Sequence, residues 1–393
     1  MVSILKTIRH CRELVWQSRF RLFTILYAVW YYRVAYMVGG ALSTLLQLGS
    51  LFGMFMLANA RCKNLLGKVM TRTSIPVKSL LTLYSFALVS TTWAYKPDLA
   101  GILSIQNLIM ICMCYWFFSN FETFRSTEKG FLFLFIGVTV IDCIISRLFN
   151  HAGLFYHHLP AGSCGAMVFS YCIGEYLNSK RLDKERKNML KWCMGLAATI
   201  MILSTSGGAN ASAVVACSLA FFLAGKLFIC LMMGIIGGFV YTNQDFMEQM
   251  ILFIMPGKNM EMIETGTGRE AYWNYELQFA NQKPLLGYGF ACIERFTNDM
   301  TRSFNYPDAH SSFVGMYGSL GIVGCLLFAW HYISSFFYSY MRRAKRGFVG
   351  LTCAMTCAIV NCYTYGFLSG KACSITIMYF SVIMLMYFYS RFK

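Results

Sequence analysis

The sequence predicts an all-α, polytopic membrane protein with about twelve transmembrane helices and one large extracytoplasmic loop. Three observations carry this prediction. Of 393 residues, 57% are hydrophobic and 13% charged, against roughly a quarter charged in an ordinary soluble domain. Apolar runs long enough to cross a bilayer, about 17–25 residues each, recur from end to end. Lys and Arg gather in short clusters between these runs, the pattern that the positive-inside rule gives to cytoplasmic loops. The formal charge of +17 is therefore a record of topology, and a nucleic-acid partner is excluded on its distribution.

Taken in order, the basic start (Lys6, Arg9, Arg12, Arg19, Arg21) runs into an apolar stretch with more spans behind it, an anchor and not a removed leader. Spans are expected at about 20–38 and 40–60, then 79–95 and 100–118, joined by Lys96-Pro97-Asp98. Further spans follow at 130–146 and 160–177, then 192–206, 211–225 and 227–242. After a polar interval at 243–311, the last three lie at 313–335, 348–366 and 372–390. With both termini inside, this arrangement puts 25 of the 34 Lys/Arg on the cytoplasmic side. The whole chain, 1–393, reads as one integral membrane domain.

Most of the sixteen cysteines fall inside spans, among them Cys112, Cys114, Cys217, Cys230, Cys325 and Cys357, where they serve as small apolar side chains. Only Cys292 lies in the polar interval, so no disulfide framework is indicated. Cys353 and Cys357 are spaced i, i+4, but no histidine or carboxylate lies near them in sequence. No metal and no cofactor is expected.

The interval 243–311 is then extracytoplasmic, with five Lys/Arg against nine Asp/Glu. Lipid cannot satisfy irregular backbone, so this interval sits above the bilayer or is buried in protein. Its aromatic residues (Tyr272, Trp273, Tyr275, Phe279, Tyr288, Phe290, Phe296) argue for packing and against disorder.

Two helix starts inside it stand out. Thr267-Gly-Arg-Glu270 fits a capping box, opening a helix that runs to about Gln282 and stops before Pro284. Arg269, Tyr272, Trp273 and Glu276 share one face of it by spacing. Free N–H groups beside a guanidinium fork make an anion cradle; the spacing fits equally an exposed arginine paired with Glu270 or Glu276. Asp308 is a natural N-cap for the helix that re-enters the membrane, which would place His310 in its first turn. There a neutral imidazole is suited to take a proton from a hydroxyl, or simply to anchor the interface through its polar tip. Gly315, Gly318, Gly321 and Gly324 recur every three residues, as close helix approach requires. Further candidates for contact with substrate are Arg295 and Arg302 between the two motifs, Arg147 near an outer span end, and His158 in the outer cluster with His151 and His157. Arg33 and Asp142 are smaller candidates near other outer span ends.

Together these motifs resemble the O-antigen ligase and polymerase superfamily. The resemblance rests on the Arg-to-Trp helix start, PLLGYGF, then AHSSF before a glycine-rich span. It extends upstream to LVSTTWAYKPDLAGILSIQNLIMI and RLFNHAGLFYHHLPAGSCGAMVFSYC, about residues 80–330 in all. It implies a C-type, metal-independent, inverting glycosyltransferase in the bacterial cytoplasmic membrane. Its donor would be an undecaprenyl-diphosphate-linked glycan and its acceptor a glycan or lipid-linked hydroxyl, with a chain-length regulator and a flippase as further partners. Carried over, Arg269 would bind the diphosphate and His310 would activate or orient the acceptor hydroxyl. One departure is plain: where the family often has Ser-Arg-Gly at an outer helix junction, this chain reads STSGGANAS, with Gly207-Gly208 and no arginine. Polymerisation of surface-polysaccharide repeat units is favoured, with ligation to lipid A-core as the runner-up. A transporter of polyprenol-linked glycans is the rival from another class, disfavoured because no internal repeat is visible.

Overall fold

The structure, a computed structural model, describes residues 41–62, 64–148, 154–155, 158–178, 183–243, 249, 269–301, 310–370 and 372–392. The first expected span, Arg33, Arg302, Asp308, His151, His157 and the capping residue Thr267 lie outside the described residues. Two compact units divide the chain at Thr71 and Arg72. The first contains α1 (Ala41–Arg61) and nearly all of α2 (Leu65–Arg72).

The second unit holds α3 (Ile75–Val89), α4 (Pro97–Phe118), α5 (Phe124–Leu148), α6 (His158–Asn178), α7 (Lys184–Ser204), α8 (Gly207–Leu223) and α9 (Leu227–Thr242). Beyond the polar interval come α10 (Arg269–Ala280), α11 (Ile293–Thr301), α12 (Ser312–Met341), α13 (Phe348–Thr364) and α14 (Ser374–Arg391). No strand occurs among the described residues. Three of these helices, Pro97–Phe118, Phe124–Arg147 and Ser312–Met341, are long and apolar enough to cross a membrane. Helix α14 lies at the centre, buried from Ser374 to Tyr389 and packed on α4, α5, α6 and α13. Helix α6 packs on α7, α8 and α13, and α8 packs on α13; α12 packs on α3 and α13.

Local sequence sets the ends. Pro76 occupies the first turn of α3 and Pro97 that of α4, where a missing N–H costs nothing. Helix α3 stops at Val89, short of the expected 95, because Ser90–Thr92 tighten into a 3-10 turn. Asp183 caps α7, accepting from the Arg186 N–H at 2.8 Å.

At one end of the bundle a buried polar cluster joins five helices. The Arg186 guanidinium, 1% exposed, donates from Nε and Nη2 to both Glu128 oxygens, each at 2.7 Å. It also donates to Glu175 Oε2 at 2.6 Å. Glu175 in turn accepts from the Gly347 and Gly350 N–H groups at the start of α13. Tyr171 donates to Glu128 at 2.7 Å and meets the Tyr389 hydroxyl at 3.0 Å.

The PLLGYGF segment is built into the protein. Helix α12 is interrupted at Gly321, whose φ of +64° is strained for any residue with a side chain. The break frees carbonyls on one side and N–H groups on the other, and the 284–289 segment takes both. Tyr288 N donates to Gly318 O at 3.0 Å and Gly289 N to Ser319 O at 2.8 Å. Ile322 N donates to Pro284 O at 2.8 Å. This corrects the reading of the glycine series as a seam between helices. Gly321 admits the loop, Gly318 makes room for Ile293 at the start of α11, Gly315 faces Ser369, and Gly324 meets only its own Leu320. These hydrogen bonds satisfy irregular backbone that lipid could not; Tyr288 and Phe290 are buried, while Leu285 and Leu286 stay exposed.

The 90–96 segment fastens the same loop from the other side. Tyr95 N donates to Tyr288 O at 2.8 Å, Trp93 Nε1 to Leu286 O at 3.0 Å, and Phe290 N to Ser90 Oγ at 3.0 Å. Lys96 and the Tyr95 hydroxyl both bind Asp299 on α11, at 2.8 and 3.0 Å. These two bonds, Lys96 first, hold the Asp299 carboxyl below its ordinary 3.8.

Candidate functional site

The C-terminal end of α13 is the meeting point. Arg269, the first residue of α10 and half-buried, donates from Nη1 to the Thr364 carbonyl at 3.1 Å. The next residue, Tyr365, carries the other motif: its ring stacks on the His310 imidazole, centroids 6.2 Å apart and planes 23° off parallel. Side chains from the approaches to two separate helices therefore meet consecutive residues at the end of a third. Their guanidinium and imidazole share one end of the bundle.

His310 is not in the first turn of α12, as Asp308 capping would have made it. Ser311 is the N-cap, its hydroxyl accepting from Val314 N at 3.5 Å, and His310 precedes it with φ +49°. Histidine is among the few side chains that enter this left-handed region. In that conformation the imidazole lies against the Tyr365 ring. Ser312 completes the junction, donating to Tyr365 O at 3.0 Å and accepting from Leu368 N at 3.4 Å.

The remaining candidates divide. Trp273 joins the site, half-buried and edge-on to Tyr363 at 5.3 Å. Tyr272 and Glu276, on the same side of α10, are buried at 2% and 0% exposure, and α10 packs on α12 and α11. The helix ends at Ala280, two residues before the expected Gln282. Arg295 is exposed on α11, one turn before Asp299, so it belongs to the Lys96 side of the loop. Arg147 is exposed in the last turn of α5. His158 is the exposed first residue of α6. Five residues on from it, Ser163 donates to Asn361 Oδ1 at 3.1 Å, and Asn361 donates to Ser212 Oγ at 2.8 Å. That chain ties the starts of α6 and α8 to the last turn of α13.

The STSGGANAS departure has a packing explanation. Ser206 caps α8, accepting from Ala209 N at 3.4 Å. A side chain on Gly208 would run into Thr364, and a Cβ on Gly162 would meet Ser204 and Ser206. Space that an arginine needs is filled by the residue whose carbonyl Arg269 binds.

Sequence reading missed Asn361, Tyr363, Thr364, Tyr365 and Ser312 because 348–366 passed as one more apolar span. The run NCYTYG at its end, polar and aromatic residues just where the apolar stretch gives out, is the signal that marks it.

An all-helical membrane protein that brings a guanidinium and an imidazole to one half-buried helix end is equipped to hold an anion beside a proton acceptor. Residues 192–329 match the sequence family described as O-antigen ligase. The match supports the O-antigen ligase/polymerase superfamily, whose members are glycosyl-transferring enzymes of polysaccharide assembly. It spans Arg269 and His310 and reaches from α7 into α12. No curated protein matches the chain.

Proposed function

We propose that this protein transfers a glycan from an undecaprenyl-diphosphate carrier to an acceptor sugar hydroxyl at the outer face of the bacterial cytoplasmic membrane, polymerising surface-polysaccharide repeat units. The observation that carries the reading is the convergence of Arg269 and His310 on Thr364 and Tyr365, within a segment matching the O-antigen ligase family. Twelve spans with both termini cytoplasmic are part of the same reading, supported by the Lys/Arg distribution.

In this mechanism the acceptor oxygen attacks the anomeric carbon from the face opposite the diphosphate and inverts it. The bond from that carbon to the bridging phosphate oxygen breaks, and its electron pair leaves with the lipid diphosphate. Arg269 stabilises the charge that grows there. The neutral His310 imidazole takes the hydroxyl proton. Trp273 and Tyr363 flank the guanidinium side. The diphosphate is already a good leaving group, so positioning and charge stabilisation suffice without a metal.

The test is incubation of purified protein with a defined lipid-diphosphate oligosaccharide. A ladder of lengthened, inverted-linkage products from wild type is expected, with about a 100-fold or greater loss in Arg269→Ala and His310→Ala at matched abundance. Wild-type ladders from either variant would overturn the assignment. Product only on a lipid A-core acceptor would identify a ligase, and transbilayer movement without product a transporter.

A further inference from the structure

The His310 ring stacks on Tyr365, the residue that follows α13. His310 precedes the N-cap of α12 with positive φ, and its ring lies against that of Tyr365. Tyr365 holds a fixed position. Its N–H donates to Asn361 O at 2.8 Å, its carbonyl accepts from Ser312, and its hydroxyl reaches Cys373 Sγ at 3.8 Å. Behind it lies the Phe367 ring, 1% exposed, with centroids 6.4 Å apart and planes 21° off parallel. His310, Tyr365 and Phe367 thus form a three-ring stack, with spacings inside the range of attractive aromatic pairs, about 4.5–7 Å. The stack is anchored on the residue next to the one Arg269 binds.

We infer that Tyr365 is the positioning residue for His310: its face, backed by Phe367, aligns the imidazole with the guanidinium that grips the donor. This rests on the glycosyl-transfer reading above. It predicts a specific separation of kinetic effects. Loss of the ring face displaces the proton acceptor, while the diphosphate contact made by Arg269 stays. A misplacement of this kind lowers kcat by up to about 100-fold and leaves donor KM nearly unchanged.

The experiment compares Tyr365→Phe with Tyr365→Leu in the lipid-diphosphate oligosaccharide assay. The phenylalanine variant keeps the face and should retain kcat within about threefold; the leucine variant should lose about 10–100-fold, with donor KM within about threefold. A leucine variant with wild-type kcat, a loss appearing wholly in donor KM, or a phenylalanine variant as impaired as leucine would each overturn the inference. If the leucine variant does not accumulate, Phe367→Leu removes only the backing ring and should give a weaker drop in kcat of the same kind; wild-type kcat there overturns it equally. A second readout needs no turnover: the His310 ring-proton resonance, shifted by the current of the stacked tyrosine, should move in Tyr365→Leu and hold in Tyr365→Phe. Wild-type protein that makes no product would therefore defeat the glycosyl-transfer reading, while an unmoved resonance in the leucine variant would defeat this one.

Discussion

At its start α13 offers the Gly347 and Gly350 N–H groups to Glu175, a carboxylate that Arg186 also binds; at its far end it offers the Thr364 carbonyl to Arg269. Both helix termini are thus served by charges of the sign the macrodipole favours. The two arginines differ in enclosure. Arg186 is 1% exposed and fixed by three hydrogen bonds to two carboxylates, whereas Arg269 is half-buried and begins a short helix. An enclosed guanidinium with matched acids is a joint between helices. A partly open one beside an imidazole is reachable by an anionic ligand. Burial and neighbours, more than residue type, separate a structural arginine from a working one.

The largest effect should come from breaking the enclosed joint. Arg186→Met leaves Glu128 and Glu175 buried without their cation, a loss of about 3–5 kcal/mol. Thermal melts in detergent should show little folded protein, and near-normal melting would contradict the comparison. The matching change at the other end, Arg269→Met, should leave melting within about 1 kcal/mol of wild type while product formation disappears; equal destabilisation at both ends would erase the contrast. Gly321→Val should fall between them, costing about 1–3 kcal/mol for the positive φ alone, with a further loss because the new side chain meets Leu285 backbone. Increased proteolysis near residues 284–289 would report the loosened segment.

The smallest effect is expected at the exposed Lys96–Asp299 pair. Because Asp299 titrates below its ordinary value, its contribution is present at neutral pH and is lost as pH falls through the folded-state value, below 3.8. Asp299→Asn should therefore melt slightly lower than wild type at pH 7, with the difference closing at strongly acid pH. High salt should shrink it as well. A difference that grew on acidification would reverse the sign argued here.

Much of this was legible in the sequence, for identifiable reasons. Helices occur at eleven of the twelve expected span positions, the first lying outside the described residues, because apolar length is a strong local signal. Arg269 and His310 were visible because ionisable residues at helix starts beside apolar runs are few. What escaped was long-range. Nothing local shows that Thr364 and Tyr365 would receive both side chains, nor that PLLGYGF would fill a gap in a helix some thirty residues later. His310 was misplaced by a few residues because Ser311 and Asp308 are both competent caps, and the choice depends on contacts that spacing does not encode. Buried Glu276 and Tyr272 show the same limit: a shared helix face tells which residues travel together, not whether they meet ligand or protein.

The threading of Pro284–Gly289 through the interruption in α12 bears on how the chain is made. Synthesis delivers this short clasp before Gly318–Val323, the seat that receives it, exists. The clasp must wait, held by Trp93 and Tyr95, which are already present. Truncating the nascent chain before residue 318 should therefore leave a protease-sensitive 284–289 stretch that becomes resistant only once the seat has emerged.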